Sequence, residues 1–372
     1  MSELKYPFLE LGTVNEPYKE ALKAAAARVI DSGRYVGGAE NEAFESELAA
    51  HTGTRYAVGV SNGLDALRLI FKAYIGLGRL REGDAVIVPA NTYIASVLAV
   101  TDAGLRPVFA EPCSATLNLD TSRLEEVYTP DVKAVLTVHL YGRACYDTVL
   151  DDFAHRHELI VVEDNAQAIG AEACGFGRTG SLGHAAAFSF YPTKNVGAVG
   201  DAGAVTTSDK ELADTVRALA NYGSDRRYHN IYQGYNCRLD PIQASFLRIK
   251  LAHIDAETAH RRSIAAVYNS EIRNSAVTLP QTDTPDTSVW HQYVVRTANR
   301  DSFCRMLADN GVGYDIHYAV PPHRQPCYAR YAHLSLPVTD MLAAEVVSLP
   351  VSQCTSTDDA REIAVIINRF QQ

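Results

Sequence analysis

No stretch of the chain approaches the roughly eighteen uninterrupted apolar residues of a spanning helix, and no basic segment near the start leads into an apolar run, so neither membrane span nor secretory leader is expected. Cysteine is sparse: the seven residues Cys113, Cys145, Cys174, Cys237, Cys304, Cys327 and Cys354 are odd in number, widely scattered and without a C-x-x-C pair. That argues against a disulfide framework and against a zinc site. Basic residues are in deficit, 34 against 44 acidic, for a formal charge of −10. A broad nucleic-acid or anionic-membrane surface needs clustered Lys and Arg, so both are disfavoured, while a small anionic ligand in a local pocket is not. Internal repeats and low-complexity segments are absent as well. What is present, 47% hydrophobic and 21% charged residues over 372 positions, describes a soluble globular chain with room for a large domain and a smaller one. The expected location is cytoplasmic.

Short apolar runs alternate with amphipathic stretches between about residues 55 and 210, the pattern of repeated βαβ units. Strands are expected at 56–60, 85–88, 107–110, 134–138, 159–162, 186–190 and 204–206. Several are continuously apolar, as strands covered on both faces of a mostly parallel sheet should be. Leu64, Leu67, Phe71 and Tyr74, and Val149, Phe153 and His157, recur at helical spacing and supply crossovers. One long helix is expected from Pro241 to about Arg273. Beyond Leu279, a strand near 293–295, a helix over 302–310 and a last helix over 357–370 suggest a small α+β domain. The expected fold class is α/β, a mostly parallel sheet sandwiched by helices, with residues 1–245 forming the large domain and 246–372 the small one.

In such sheets ligands sit beyond the carboxyl ends of the strands, and four strings fall there. Ser61-Asn62-Gly63-Leu64-Asp65-Ala66-Leu67 turns a strand into a helix through glycine, leaving amides that suit a phosphate; it also fits a plain turn. Glu163-Asp164-Asn165-Ala166-Gln167 places a carboxylate at a strand mouth, suited to a protonated ring nitrogen or equally to a helix N-cap. Ser189-Phe190-Tyr191-Pro192-Thr193-Lys194-Asn195 carries a lysine out of an apolar strand into a glycine-rich loop, where desolvation favours the neutral, nucleophilic amine. Pro89-Ala90-Asn91-Thr92-Tyr93 offers an aromatic ring for stacking on a flat heterocycle, or for core packing. Together the four supply a phosphate cradle, a ring cover, an acidic partner and an amine.

In this order, and with Gly234-Tyr235-Asn236-Cys237-Arg238-Leu239-Asp240-Pro241 downstream, the strings strongly resemble the DegT/DnrJ/EryC1/StrS sugar aminotransferases, within the fold-type I enzymes that use pyridoxal 5′-phosphate (PLP). The resemblance runs from Ser32-Gly33-Arg34-Tyr35 to the C-terminal region. It implies that Lys194 holds PLP as a Schiff base and shuttles protons, and that Asp164 pairs with the pyridine nitrogen. It further implies that Gln167 contacts the ring hydroxyl, Tyr93 stacks on the ring, and Gly63, Leu64 and Ser189 hold the phosphate. Asn236 would come from the second subunit of a homodimer. Relatives that dehydrate replace the lysine with histidine, and this chain keeps lysine. Tyr222-Gly223-Ser224, Tyr228-His229-Asn230 and His317-Tyr318-Ala319-Val320-Pro321-Pro322-His323 resemble the enzymes acting on dTDP-3-keto-6-deoxyhexoses, though proline is usual where this chain has Ala319. Tyr35, Tyr191 and His323 are the candidate substrate contacts; each also suits a packed side chain. The expectation is transfer of an amino group from L-glutamate to a keto-sugar nucleotide through pyridoxamine phosphate. A 4-keto substrate, a PLP-dependent dehydratase and a regulatory protein are the alternatives.

Overall fold

The computed structural model describes residues 4–281 and 284–371. Seven strands form one sheet: β1 (Tyr56–Val60), β2 (Ala85–Pro89), β3 (Arg106–Ala110), β4 (Val132–Val138), β5 (Ile160–Asp164), β6 (Ala185–Ser189) and β7 (Gly203–Thr207), in the order β1-β7-β6-β5-β4-β2-β3. All run parallel except β7, which is antiparallel to both neighbours.

The continuous hydrophobicity of these strands has the reason expected. Alternate residues point to opposite faces, and both faces are covered. Val58, Val60, Val86, Val88, Leu136 and Val162 enter the core with the Gly63–Gly76, Ile94–Asp102 and Lys210–Ala220 helices. Ala57, Ala186, Phe188 and Ala204 face the Ala39–Thr52 and Pro241–Leu251 helices, while Ile87, Val135 and Val161 face Leu150 and Phe153 of the Thr148–Arg156 helix. In that last helix the buried stripe is Leu150, Phe153 and Ala154, and Val149 is exposed. The expected stripe was therefore one residue out of register at its start.

The long helix expected from Pro241 is two helices, Pro241–Leu251 and Ile254–Glu271. The break serves packing: Leu247, Leu251 and Ile254 bury in the large domain, and the redirected second helix sends Ile264, Ala265 and Tyr268 into a separate core. That second core also takes Phe303, Leu307 and Ile363, and two antiparallel strands, β8 (Tyr293–Arg296) and β9 (Val346–Leu349). It reaches back to the N-terminus, where Tyr6 packs in it and pairs with Val312. Residue 245, after which the division was expected, lies within the Pro241–Leu251 helix, whose Ala244, Leu247 and Leu251 pack with Phe44 and Phe188, while the second core takes Ile264 and residues beyond it. Among the described residues no helix is long and apolar enough to cross a membrane, and no cluster of His, Cys, Asp or Glu side chains is arranged to hold a metal.

Candidate active site

Because six of the seven strands are parallel, their carboxyl ends open on one edge, and the antiparallel β7 starts at that edge with Gly203 paired to both Val60 and Ser189. At the end of β1, Asn62 caps the Gly63–Gly76 helix: its side chain accepts the Asp65 amide at 2.8 Å and its carbonyl accepts the Ala66 amide at 3.0 Å. Among the described residues the amides of Gly63 and Leu64 have no acceptor, and they lie at the positive end of the helix dipole. Ser189 closes the cradle. A Cβ on Gly63 would lie 2.6 Å from the Ser189 Cβ, and one on Gly203 would lie 2.4 Å from the Asn62 carbonyl, so both positions demand glycine for close approach.

Asp164 ends β5 and is 7% exposed. Its Oδ2 accepts the Ser96 hydroxyl at 2.7 Å, Ser96 is 2.8 Å from the Thr92 hydroxyl, and its Oδ1 accepts the Ala166 amide at 3.2 Å. Its neighbour Glu163 is a different object, 0% exposed and pointing away from the site. Glu163 accepts the amides of Gly180, Leu182 and Gly183 at 2.7 to 2.8 Å and lies 2.8 Å from His139 Nε2. Since His139 Nδ1 accepts the Cys145 amide, Nε2 carries the proton and donates it to Glu163. Glu163→Gln would set an amide NH₂ against two of these four donors whichever way it turned, and a loss of about 3 kcal/mol in urea-unfolding stability is expected.

Lys194 leaves the loop after β6, and its ammonium makes no hydrogen bond among the described residues. Burial pushes its pKa down to about 8, against the raising pull of the Asp164 charge. Gln167 Oε1 accepts the Tyr141 amide at 2.6 Å and its Nε2 donates to the Tyr318 hydroxyl at 3.1 Å. The Tyr318 ring packs on Tyr93, centroids 5.3 Å apart, and Tyr93 stays 54% exposed. Beside them His291 is buried, with Nδ1 2.9 Å from Asn195 Oδ1.

The fold thus brings together Gly63, Leu64 and Ser189 as one cradle, and Asp164, Lys194, Gln167 and Tyr93 around the adjoining space. That set suits a planar, phosphorylated heterocycle with a basic ring nitrogen and a carbonyl within reach of an amine. It does not bring in the remaining candidates. Asn236 is exposed, Tyr35 is exposed with its hydroxyl on the Ile30 carbonyl, and Tyr191 has an exposed side chain while its carbonyl accepts the Lys194 amide at 2.8 Å. His323 is 0% exposed, packed beside Phe109 with Nε2 3.2 Å from Asp340. It presents no surface to a substrate here, and the nearby string contributes Tyr318 instead. Sequence reasoning passed over Ser96, Tyr141, Tyr318 and His291. Ser96 was detectable one helical turn beyond Thr92; Tyr318 stood within a string already singled out.

Comparison with known proteins agrees with this geometry. The chain is 45% identical, over 98% of its own length and 99% of the other's, to the dTDP-3-amino-3,6-dideoxy-α-D-galactopyranose transaminase of Aneurinibacillus thermoaerophilus. Its structure superimposes with a TM-score of 0.94, at 44% identity over 99% of this chain and 98% of the other, on S. venezuelae DesV in complex with a ketimine intermediate. NtdA from Bacillus subtilis, solved with bound cofactor PMP, superimposes with a TM-score of 0.89 at 27% identity over 100% of this chain and 86% of that one. The fold is that of the fold-type I transferases, as the strings implied. A profile of the DegT/DnrJ/EryC1/StrS aminotransferase family matches residues 17–368, and the chain belongs to that family.

Proposed function

We propose that the protein is a PLP-dependent aminotransferase that moves an amino group from L-glutamate to a dTDP-linked 3-keto-6-deoxyhexose, releasing 2-oxoglutarate and the 3-amino sugar. The juxtaposition of a desolvated Lys194 amine with the buried Asp164 carboxylate carries this reading. The substrate class is supported by the printed activity of the Aneurinibacillus thermoaerophilus relative. Bound PLP supplies an aldehyde that takes up and gives back an amino group, and a ring that accepts electron density from the reacting carbon.

The remaining work belongs to the chain. The Gly63 and Leu64 amides and the Ser189 hydroxyl bind the phosphate dianion, which complements the helix N-terminus. Asp164 accepts the ring N–H and keeps that nitrogen cationic, while Ser96, anchored by Thr92, prevents the carboxylate from rotating away. Gln167, already tied to the Tyr141 amide and Tyr318, faces the ring hydroxyl side, and Tyr93 covers the ring. Lys194 Nζ takes the proton released at the glutamate α-carbon and later delivers a proton to the sugar carbon that receives nitrogen. Its depressed pKa keeps a useful fraction neutral near pH 7.

Both halves of the cycle are testable in one cuvette. L-Glutamate should remove the visible band of the PLP-loaded protein and build the near-ultraviolet band of the amine form, and 3-keto but not 4-keto sugar nucleotide should reverse it. No change on adding glutamate would refute the donor, and selective reversal by the 4-keto sugar would reassign the acceptor. In Gly63→Ala the added methyl displaces Ser189 and narrows the cradle, so PLP should dissociate roughly ten-fold more readily in equilibrium dialysis. Exposed Tyr35, Val36, Tyr191 and Val199 support a homodimer that covers them, with Asn236 completing the partner's site; sedimentation at micromolar concentration should give twice the chain mass.

A further inference from the structure

The loop that follows Lys194 is gripped from three directions. Lys250 Nζ donates to the Gly197 carbonyl at 2.6 Å, and Gln243 exchanges two hydrogen bonds of 2.9 Å with the backbone of Val199. The third grip falls on Asn195, the residue next to Lys194 in the chain, and comes from His291 in the C-terminal part of the chain. Residues 289–292 cross the turn after β4, with the Val289 amide on the Gly142 carbonyl at 2.9 Å and the Gln292 amide on the Tyr141 carbonyl at 3.2 Å. Trp290 adopts φ 50°, a left-handed conformation unusual for a bulky residue, and Gly142 is so close that a Cβ there would lie 2.6 Å from the His291 nitrogen. This strained crossing turns the His291 ring inward onto Asn195.

The protonation of that contact follows from its partners. Asn195 Nδ2 donates to the Val289 carbonyl at 3.4 Å, which orients the amide oxygen toward His291. At 2.9 Å from an acceptor, Nδ1 must carry the hydrogen, so the ring is held as one tautomer. Burial, reinforced by the positive charges of Lys194 and Arg261 and by His317, keeps the imidazole neutral. Lys194 itself is faced by Asp164 from β5 and by His291 and His317 from the small-domain side.

We propose that His291 is a positioning residue for Lys194: through Asn195, the next residue in the chain, it fixes the direction in which the lysine side chain leaves its loop and keeps Nζ inside the site beside Asp164. The proposal rests on Lys194 being the reactive amine. Without the bond the loop relaxes, the side chain gains access to water, and its amine reverts toward an ordinary lysine.

The test labels the full-length chain, freed of bound aldehyde with hydroxylamine, with acetic anhydride over the neutral to alkaline range. Acetylation of Lys194 is followed by peptide mass spectrometry with exposed Lys133 as reference. In wild type the Lys194 midpoint should fall near about 8. In His291→Leu and in Asn195→Ala, which break the same bond from opposite sides, it should rise by about one unit, slowing labelling near neutrality by about ten-fold. His291→Asn, whose amide N–H can reach the same Asn195 oxygen, should restore the wild-type midpoint. A midpoint that stays put in a folded Leu or Ala variant, even one with a lowered Tm, overturns the proposal, as does an equal shift in His291→Asn. Wild-type Lys194 that titrates like Lys133 overturns instead the assignment of Lys194 as the reactive amine.

Discussion

Lys194→Ala is expected to retain PLP yet lose turnover by at least about ten-thousand-fold, because the group removed is both the covalent attachment point and the proton carrier. Retention follows from the separation of tasks in the site. The cradle amides of Gly63 and Leu64 and the Ser189 hydroxyl owe nothing to the lysine, and Asp164 is oriented by Ser96 and Ala166 rather than by the ammonium. The cofactor should therefore remain after gel filtration, with the absorbance of a free aldehyde rather than that of a lysine adduct. Multiple turnover by this variant, measured as 2-oxoglutarate formed with the keto-sugar present, would show that another group moves the proton. In the intact protein the same proton carrier sets a pH dependence. With a pKa near about 8, the neutral amine of the cofactor-free chain is lost as pH falls through that value, and the rate of PLP attachment should decline with it.

The second large effect is expected from Asp164→Asn. The substitution preserves shape: the Ala166 amide can still donate to Oδ1, and the Ser96 hydroxyl can accept from the new Nδ2 instead of donating to Oδ2, so the fold should persist. What changes is the face turned toward the ring. An amide nitrogen carries hydrogens of its own and cannot stabilise a protonated pyridine, so kcat should fall by about a thousand-fold while PLP affinity changes much less. Single-turnover absorbance changes with glutamate separate the two quantities. An unchanged rate of amino-group uptake would reduce Asp164 to a structural cap, the other role its place at the end of β5 allows.

Most of the large domain was legible because its strands, covered on both faces, carry short apolar runs that mark them, and each expected strand lies within two residues of its observed limits at either end. Misreadings occurred where local pattern was degenerate. Pro241 to Arg273 is helix-compatible throughout, and only the existence of two cores, visible in the different burial of Leu251 and Ile264, explains the break at Ala252–His253. The site divided in the same way. Residues at strand ends were readable because parallel topology alone gathers them. Contacts that orient them were not, since Ser96 meets Asp164 across 68 residues, Asn195 meets His291 across 96, and Gln167 meets Tyr318 across 151. His323 fell to the same difficulty: a polar residue in the right string, drawn into the interior beside Phe109 by packing that no spacing encodes.

The single reversed strand has a consequence for how such a protein can be altered. A parallel successor to β6 would have required a crossover of about a dozen residues or more, carrying the lysine off the sheet edge. Because β7 runs back instead, the segment bearing Lys194 starts at Ser189 and ends at Gly203, two residues paired directly across the ladder. The entropy of closing that loop is borne by the sheet whatever sequence lies between. The segment is in effect a cassette with fixed terminals, and chimaeras that exchange it as a unit between relatives should keep strand register so long as Gly197 survives, where a side chain would strike the Pro192 carbonyl at 2.3 Å.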